Sequence, residues 1–157
     1  MKNIKSYVAS ILTALGVGGL SALITSGNMD LYSEINTPPF APPPILFPIV
    51  WSILYILMGI SAAIIWNTES VMKSERRGAI YTYALSLFFN FLWSIIFFNM
   101  RAFLFAFVWL LSLLFLIVRT ITKYRKISPL AAYLQIPYLL WVGFAGVLNF
   151  AIWYLNR

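Results

Sequence analysis

The chain has 157 residues, of which 62% are hydrophobic and 18% aromatic, whereas only 10% are charged. A soluble domain of this size is about half apolar and a quarter charged, so this composition excludes an ordinary soluble domain and indicates a small integral membrane protein. The net charge is +7, and the chain contains neither Cys nor His. Disulfides, histidine metal ligands and histidine general bases are therefore excluded, and residues 1–157 are predicted to form one membrane domain.

Five apolar segments are long enough to cross a bilayer as helices, which takes about 20 residues. They are predicted at residues 4–26, 45–66, 79–98, 102–122 and 129–155. The segments are too long and too continuously apolar for barrel strands. The first segment is predicted to be a span and not a signal peptide, because its apolar run is long and no A-x-A site follows it. The predicted fold is an all-α integral membrane bundle of five helices, with a proline-rich loop capping the outer end.

Several residues are typical of helix ends and bends. Gly27 follows the first span, where a glycine commonly ends a helix. Ser128 and Pro129 form an N-cap followed by proline at the first helical position. Pro137 lies inside the fifth span and is expected to kink it near Trp141.

The distribution of basic residues predicts the orientation in the membrane, because Lys and Arg concentrate on the inner side. Nine of the eleven lie on one predicted side: Lys2, Lys5, Lys73, Arg76, Arg77, Arg119, Lys123, Arg125 and Lys126. Only Arg101 and Arg157 lie on the other side. The N-terminus is therefore predicted inside and the C-terminus outside. The positive charge reflects this bias, so a nucleic-acid partner is not inferred.

The segment TPPFAPPPILFPIVW, residues 37–51, contains six of the eight prolines. Proline has a fixed φ and no N–H, so residues 38–44 are predicted to be stiff, extended and non-helical. Pro48 falls in the first turn of the second span, where a missing N–H costs little. The segment is either a semi-rigid flap over a site or only a stiff connector.

Three tryptophans are predicted to lie deeper than the interfacial belt in which membrane tryptophans concentrate. From the helical rise, Trp51 and Trp93 lie roughly 8–9 Å below the outer edge, and Trp141 lies near mid-membrane. Buried indoles bond their N–H or line a cavity. With Asn90 nearby, they predict an aromatic cavity suited to a large, flat, mostly apolar ligand. Helix packing by bulky aromatic side chains is the alternative for each of them.

Two further patterns bear on packing and transport. Small residues recur every fourth position in the first span and allow close helix approach, inside the bundle or in a dimer: Ser10, Ala14, Gly18, Ala22 and Ser26. The four acidic residues all lie in predicted loops, so proton-coupled transport through an intramembrane carboxylate is not supported.

The loop and span motifs together resemble the TspO/MBR family, also known as the tryptophan-rich sensory protein or translocator protein family. PPFAPP followed by PIVWSILYILMG resembles its loop and second span. LFFNFLWSIIFF resembles its third span, and SPLAAYLQIPYLLWVGFAGVLNFAIW its fifth. The match runs in order over essentially the whole chain. Phe40 stands where the family has a loop tryptophan, and Trp109 stands where it commonly has an acidic residue.

The resemblance implies a five-helix bundle, often a homodimer in bacteria, with a ligand pocket under the loop between the first two spans. Its implied ligands are protoporphyrin IX and other tetrapyrroles, isoquinoline carboxamides and, in animals, cholesterol. The implied binding residues are Tyr32, Pro43, Trp51, Tyr55, Asn90, Trp93, Trp141 and Ala145. Trp51 and Trp141 are the implied catalytic residues if porphyrin breakdown occurs.

The leading functional hypothesis is a receptor or carrier for porphyrins in a bacterial cell membrane, with a sensory or tetrapyrrole-homeostasis role. The second is a light-dependent enzyme in which Trp51 and Trp141 donate electrons to excited protoporphyrin. The third is a facilitative transporter of porphyrins or sterols, and a purely structural membrane protein is the last alternative. The predicted partners are the flat ligand, the bilayer and a second copy of the chain, and no cofactor or metal is predicted.

Overall fold

The computed structural model describes residues 3–157, and within them it shows helices joined by short connections and no strand. Five of the helices are long and apolar enough to cross a membrane. The helices are α1 (Ile4–Thr25), α2 (Leu31–Glu34), α3 (Leu46–Trp66), α4 (Lys73–Ser94), α5 (Phe103–Ile127) and α6 (Pro129–Leu155). The prediction of an all-α membrane fold with five spanning helices is therefore confirmed.

Two helices extend further than the apolar segments that predicted them. α4 begins at Lys73, whereas its span was predicted to start at 79, and α5 ends at Ile127, beyond the predicted end at 122. Hydropathy marks the part of a helix that lies in hydrocarbon. The polar and basic turns at these two ends continue the same backbone hydrogen bonds outside that region, with long side chains that can reach water.

Both predicted helix boundaries are confirmed: α1 ends at Thr25 with Ser26 as its C-cap, so Gly27 follows the helix, and α6 begins at Pro129. Gly27 lies in a 3-10 turn, Ser26–Asn28, and no glycine among residues 3–157 has a positive φ. The chain tightens after α1 and does not reverse into a left-handed cap. Ser128 is the predicted N-cap of α6: its side-chain oxygen accepts a hydrogen bond from the Ala131 N–H, and Pro129 follows at the first helical position. α6 continues as one helix across Pro137.

The proline-rich loop is non-helical, as predicted, but two turns interrupt the extended stretch. The Ala41 N–H donates to the Pro38 carbonyl at 3.0 Å, and the Leu46 N–H donates to the Pro43 carbonyl at 2.9 Å. A second proline follows the first residue of each turn, which is the position where a fixed φ favours a turn. The same residues that stiffen the loop therefore also fold it back over the bundle.

The five spanning helices form a closed ring in the order α1, α3, α6, α5 and α4. α1 and α3 approach closely at two glycines. A Cβ at Gly59 would lie 2.5 Å from the Ile11 Cα, and one at Gly18 would overlap the Tyr55 ring. Only glycine therefore fits at these positions without moving a neighbour. The predicted small-residue stripe follows this contact only in part, since Ala14 is fully buried whereas Ala22 is exposed.

The two ends of the bundle differ in chemistry. The end called here the loop end carries the proline-rich loop, the α4–α5 connection and the C-terminus. The opposite end, called the basic end, carries the start of α1 and most of the Lys and Arg residues. Closer to the basic end, buried Ser61 donates to the Ala131 carbonyl at 2.7 Å, and buried Gln135 donates to the Ser61 hydroxyl at 3.3 Å. These bonds join α3 to α6 below the cavity described next.

Candidate functional site

A cavity of about 720 Å³ lies within the loop-end half of the bundle. Residues of α1, α3, α4 and α6 form its walls, and α2 and the last residues of the proline-rich loop cover it. No charged residue lines the cavity in the part of the chain that the structure describes. Its polar lining groups are hydroxyls, amides and indole nitrogens, so it suits an apolar ligand with a few hydrogen-bonding atoms.

Seven of the eight binding residues predicted from the sequence lie on the wall of this cavity: Tyr32, Trp51, Tyr55, Asn90, Trp93, Trp141 and Ala145. Pro43 does not line it, because its carbonyl accepts the Leu46 N–H in the turn that begins α3. The prolines that reach the cavity are Pro44 and Pro48. The role of the seven in ligand binding stays a prediction.

Aromatic rings form one continuous surface from α2, which covers the cavity, to α6. Tyr32 of α2 stacks on Phe47 at a centroid distance of 5.4 Å, and Phe47 meets the Trp141 ring edge to face at 6.0 Å. On α3, one turn beyond Phe47, Trp51 stacks on Tyr55 at 5.6 Å. Such contacts fix the rings against one another. The cavity therefore has an aromatic wall whose rings pack against one another.

Buried hydrogen bonds hold two more side chains of the wall. The Asn90 Nδ2 donates to the Tyr55 hydroxyl at 3.1 Å, which joins α4 to α3. The Trp93 Nε1 donates to the Asn149 Oδ1 at 3.1 Å, and the Asn149 Nδ2 donates to the Phe103 carbonyl at 2.9 Å. These bonds position Asn90 and Trp93 and satisfy polar atoms that burial would otherwise destabilise.

The Trp141 side chain differs from these two because its buried Nε1 has no hydrogen-bond partner among residues 3–157. A buried indole N–H usually finds an acceptor. Trp141 lines the cavity, but its Nε1 atom is itself buried, so the side chain offers the ligand a stacking face. The arrangement can therefore bind a flat ligand by stacking and apolar burial and orient it by a small number of hydrogen bonds.

Sequence reasoning missed several residues of the wall. Phe47 lies one turn before Trp51 on α3, so helical spacing could have found it. Asn149 lies one turn after Ala145 on α6, and spacing places it on the same face as Trp141 and Ala145, but it was not among the predicted binding residues. The α1 wall was also missed. It consists of Gly18, Gly19, Ala22 and other small or aliphatic residues. Gly18 and Ala22 belong to the predicted packing stripe, and nothing in the chemistry of these residues points to a ligand.

Two of the residues at which the chain departs from the family pattern, Phe40 and Trp109, lie away from the cavity lining. Phe40 is half exposed and meets Phe144 edge to face at 6.4 Å. Trp109 of α5 stacks on Phe89 of α4 at 4.4 Å, and its Nε1 donates to the Phe89 carbonyl at 2.9 Å. Trp109 therefore joins two neighbouring helices and takes no part in the cavity wall.

Comparison with known proteins agrees with this architecture over nearly the whole chain. The chain is 37% identical over 155 residues to the tryptophan-rich protein TspO of Archaeoglobus fulgidus, which covers 98% of this chain and 99% of that protein. It is 34% identical over 149 residues to the translocator protein of Bos taurus, covering 94% and 88%, and 31% identical over 152 residues to the tryptophan-rich sensory protein of Cereibacter sphaeroides, covering 94% and 92%. The model of the TspO/MBR family matches residues 9–155, and the chain is thus a multi-pass integral membrane protein that belongs to the TspO/MBR family.

Proposed function

We propose that this protein is a membrane receptor or carrier that binds protoporphyrin IX and similar flat hydrophobic ligands in the cavity beneath the proline-rich loop. Its role is sensory or in tetrapyrrole homeostasis. The observation that carries the proposal is the lining: aromatic side chains of α2, α3, α4 and α6 surround one uncharged space of about 720 Å³. Sites that enclose small molecules commonly measure about 300–1,000 Å³. The relatives named as sensory and translocator proteins agree with a receptor or a carrier.

The chemistry of the wall supports this ligand class. A porphyrin presents two wide apolar faces, which stack on the indole rings of Trp51 and Trp141. Its carboxylates accept hydrogen bonds from hydroxyl and amide groups of the cavity lining. An isoquinoline carboxamide offers a smaller flat ring system with one carbonyl acceptor, and so it uses the same wall and competes for the site.

The test is a titration of the purified protein with protoporphyrin IX in the dark, followed by quenching of tryptophan fluorescence. We expect saturable quenching, weaker binding in Trp51→Phe and Trp141→Phe, and displacement by an isoquinoline carboxamide. Trp66→Phe is the matched control, because Trp66 is 54% exposed on the bundle surface. Linear quenching without saturation, equal in all four proteins, would show only partitioning into detergent and would remove the proposal.

A second candidate function is the light-dependent breakdown of bound protoporphyrin. The observation that favours it is the placement of two indoles, Trp51 and Trp141, on the wall of one cavity. Tyr55, stacked on Trp51 at 5.6 Å, adds a third side chain that can donate an electron. Illumination of the complex in air is expected to give a new product that Trp51→Phe and Trp141→Phe no longer form. Product formation that survives both substitutions would exclude this role for the tryptophans.

We further propose that residues 1–157 form one domain and that this domain lies in a bacterial-type cell membrane. Its basic end faces the inside of the cell and its loop end faces the outside. Nine of the eleven Lys and Arg residues support this direction. A homodimer is proposed as the assembly, as the family resemblance implies. Cross-linking in native membranes tests it: a band at twice the monomer mass is expected, and a monomer at all cross-linker concentrations would contradict it.

A further inference from the structure

Polar contacts at the loop end attach the segment that covers the cavity to the rest of the bundle. The Asn36 N–H donates to the Asn156 Oδ1 at 2.9 Å, and the Asn156 Nδ2 donates back to the Asn36 carbonyl at 2.8 Å. Glu34 and Arg101 form an ion pair at 2.6 Å. These contacts attach residues 31–46, called here the covering segment, to the end of α6 and to the α4–α5 connection. A ligand that passed under the covering segment would have to break them.

The side of the cavity between α1 and α3 is different. Towards the basic end the two helices are in close contact, since Gly59 lies against Ile11 and Gly18 against Tyr55. Towards the loop end, cavity-lining residues of both helices also reach the outer surface, which indicates an open gap between the helices. The residues that line the cavity on both edges of this gap are also exposed: Gly19, Ala22, Pro48 and Ser52. A Cβ added at Gly19 would meet no atom within 4 Å, so a side chain introduced at this position has free space beside α1.

The depth of the gap places it in the membrane. Gly19 precedes the end of α1 at Thr25 by six residues, and Ser52 follows the start of α3 at Leu46 by six. Both therefore lie about 9 Å from the loop-end terminus of their helix, within the hydrocarbon of a bilayer about 30 Å thick. An opening at this depth faces acyl chains.

The hydroxyl groups beside the gap are hydrogen-bonded within their own helices. The Ser52 hydroxyl donates to the Pro48 carbonyl at 2.7 Å, and the Thr25 hydroxyl donates to the Ser21 carbonyl at 2.9 Å. Both hydroxyls are thus satisfied within their own helices, as polar groups near lipid need to be.

We infer that the ligand enters and leaves sideways, through the gap between α1 and α3, from the membrane leaflet at the loop end. This inference rests on the proposed function, because it takes the cavity to be a site for a flat apolar ligand. A sideways entry route restricts the ligands to molecules that first partition into the bilayer. The concentration of the ligand in the leaflet then governs the rate of association. Water-soluble tetrapyrroles that do not partition are excluded from the site.

Two glycines of α1 give a matched test. Gly16 and Gly19 both have open space at the Cβ position, but only Gly19 lines the cavity. Wild-type protein and the variants Gly19→Phe and Gly16→Phe are reconstituted in liposomes and mixed with vesicles carrying protoporphyrin IX, and tryptophan quenching is followed in time. Gly19→Phe is expected to slow association and dissociation together by about tenfold, because a closed passage affects both directions of exchange. Gly16→Phe is expected to keep the wild-type rates.

A second pair of variants addresses the competing route and failures of folding. Asn156→Ala removes both bonds to Asn36 and loosens the covering segment, so it accelerates association only if the ligand passes under the loop. Unchanged rates in Gly19→Phe together with faster association in Asn156→Ala would overturn the inference and leave the proposed function standing. Absence of saturable quenching in the wild type would remove both. If Gly19→Phe does not elute as a folded protein, Ala22→Leu, one turn along α1, provides the same test with a smaller side chain.

Discussion

Two tryptophans of the cavity differ in whether their indole nitrogen is bonded, and this difference decides what each contributes to stability. The Trp93 Nε1 donates to the Asn149 Oδ1, whereas the buried Trp141 Nε1 has no partner among residues 3–157. Replacing Trp93 by Phe leaves the Asn149 oxygen buried without a donor. We expect Trp93→Phe to lower the free energy of unfolding by about 1–3 kcal/mol. Trp141→Phe removes no protein hydrogen bond, so its effect on unfolding is expected to be smaller.

Thermal unfolding in detergent measures this difference, with Trp66→Phe as the control on the bundle surface. The order of melting temperatures should be Trp66→Phe and Trp141→Phe above Trp93→Phe. Ligand affinity should show the opposite pattern. Relative to its effect on the melting temperature, Trp141→Phe is expected to weaken ligand binding more than Trp93→Phe does. Equal melting temperatures for Trp93→Phe and Trp141→Phe would mean that the bond to Asn149 contributes nothing.

At the level of single residues, the sequence identified side chains with unusual chemistry and missed those without it. Depth along a helix identified Trp51, Trp93 and Trp141, and all three line the cavity. Pro43 was placed one residue away from Pro44, the proline that lines the cavity, because the turn that begins α3 decides which ring faces inward. Backbone geometry of this kind is not encoded in a motif of repeated prolines.

Among the helices, the contact of α1 with α3 depends on the absence of a side chain at Gly59. An added Cβ would lie 2.5 Å from the Ile11 Cα, which is backbone and cannot rotate away. Gly59→Ala therefore has to push the two helices apart, and we expect it to destabilise the protein by about 1–3 kcal/mol. Unfolding in detergent with increasing denaturing surfactant measures the change.

Gly16→Ala is the matched control for this substitution. It also replaces a helical glycine by alanine, but its Cβ meets no atom within 4 Å. Alanine favours the helix over glycine by roughly 0.5–1 kcal/mol, so this variant is expected to be as stable as the wild type or slightly more so. A Gly59→Ala protein that matches Gly16→Ala would show that α1 can shift away from α3 at no cost.

The covering segment is a second element whose attachment can be measured. Asn156 bonds both backbone groups of Asn36, whereas the Arg101–Glu34 pair is about half exposed on both sides. Exposed ion pairs contribute little. We expect Asn156→Ala to increase amide hydrogen exchange at residues 36–46 clearly, and Arg101→Gln to change it only slightly. A larger effect of Arg101→Gln would assign the attachment to charge and not to the asparagine bonds.

Helical elements were easier to predict than their connections. Continuous apolar runs fixed the five spans, because lipid offers the backbone no other way to satisfy its polar groups. The ends were harder, since α4 and α5 continue past the apolar residues into basic turns. Gly27 follows the end of α1 as predicted, but its 3-10 turn towards α2 was not part of that prediction.

For the whole molecule, the order of helices around the ring could not be read from the sequence. Neighbours in the chain tend to pack together, yet α1 sits between α3 and α4, and α3 contacts α6. The packing that decides this includes the Gly18 and Gly59 contacts and the bond of Gln135 to Ser61. The cavity follows from that order, because α1, α3, α4 and α6 surround it while α5 contributes none of the residues that line it.

The direction of the whole bundle in the membrane can be tested because the chain has no cysteine. A single introduced cysteine is therefore the only thiol in the chain, and a thiol reagent that cannot cross the membrane will label it only from the side on which the reagent is added. Thr37→Cys lies in the proline-rich loop and Glu69→Cys in the α3–α4 connection at the opposite end, and both positions are exposed. From the basic-residue bias we expect Thr37→Cys to react in intact cells and Glu69→Cys only after lysis. The reverse pattern would turn the cavity and its opening towards the inner leaflet, and equal labelling of both in intact cells would mean that charge does not orient the bundle.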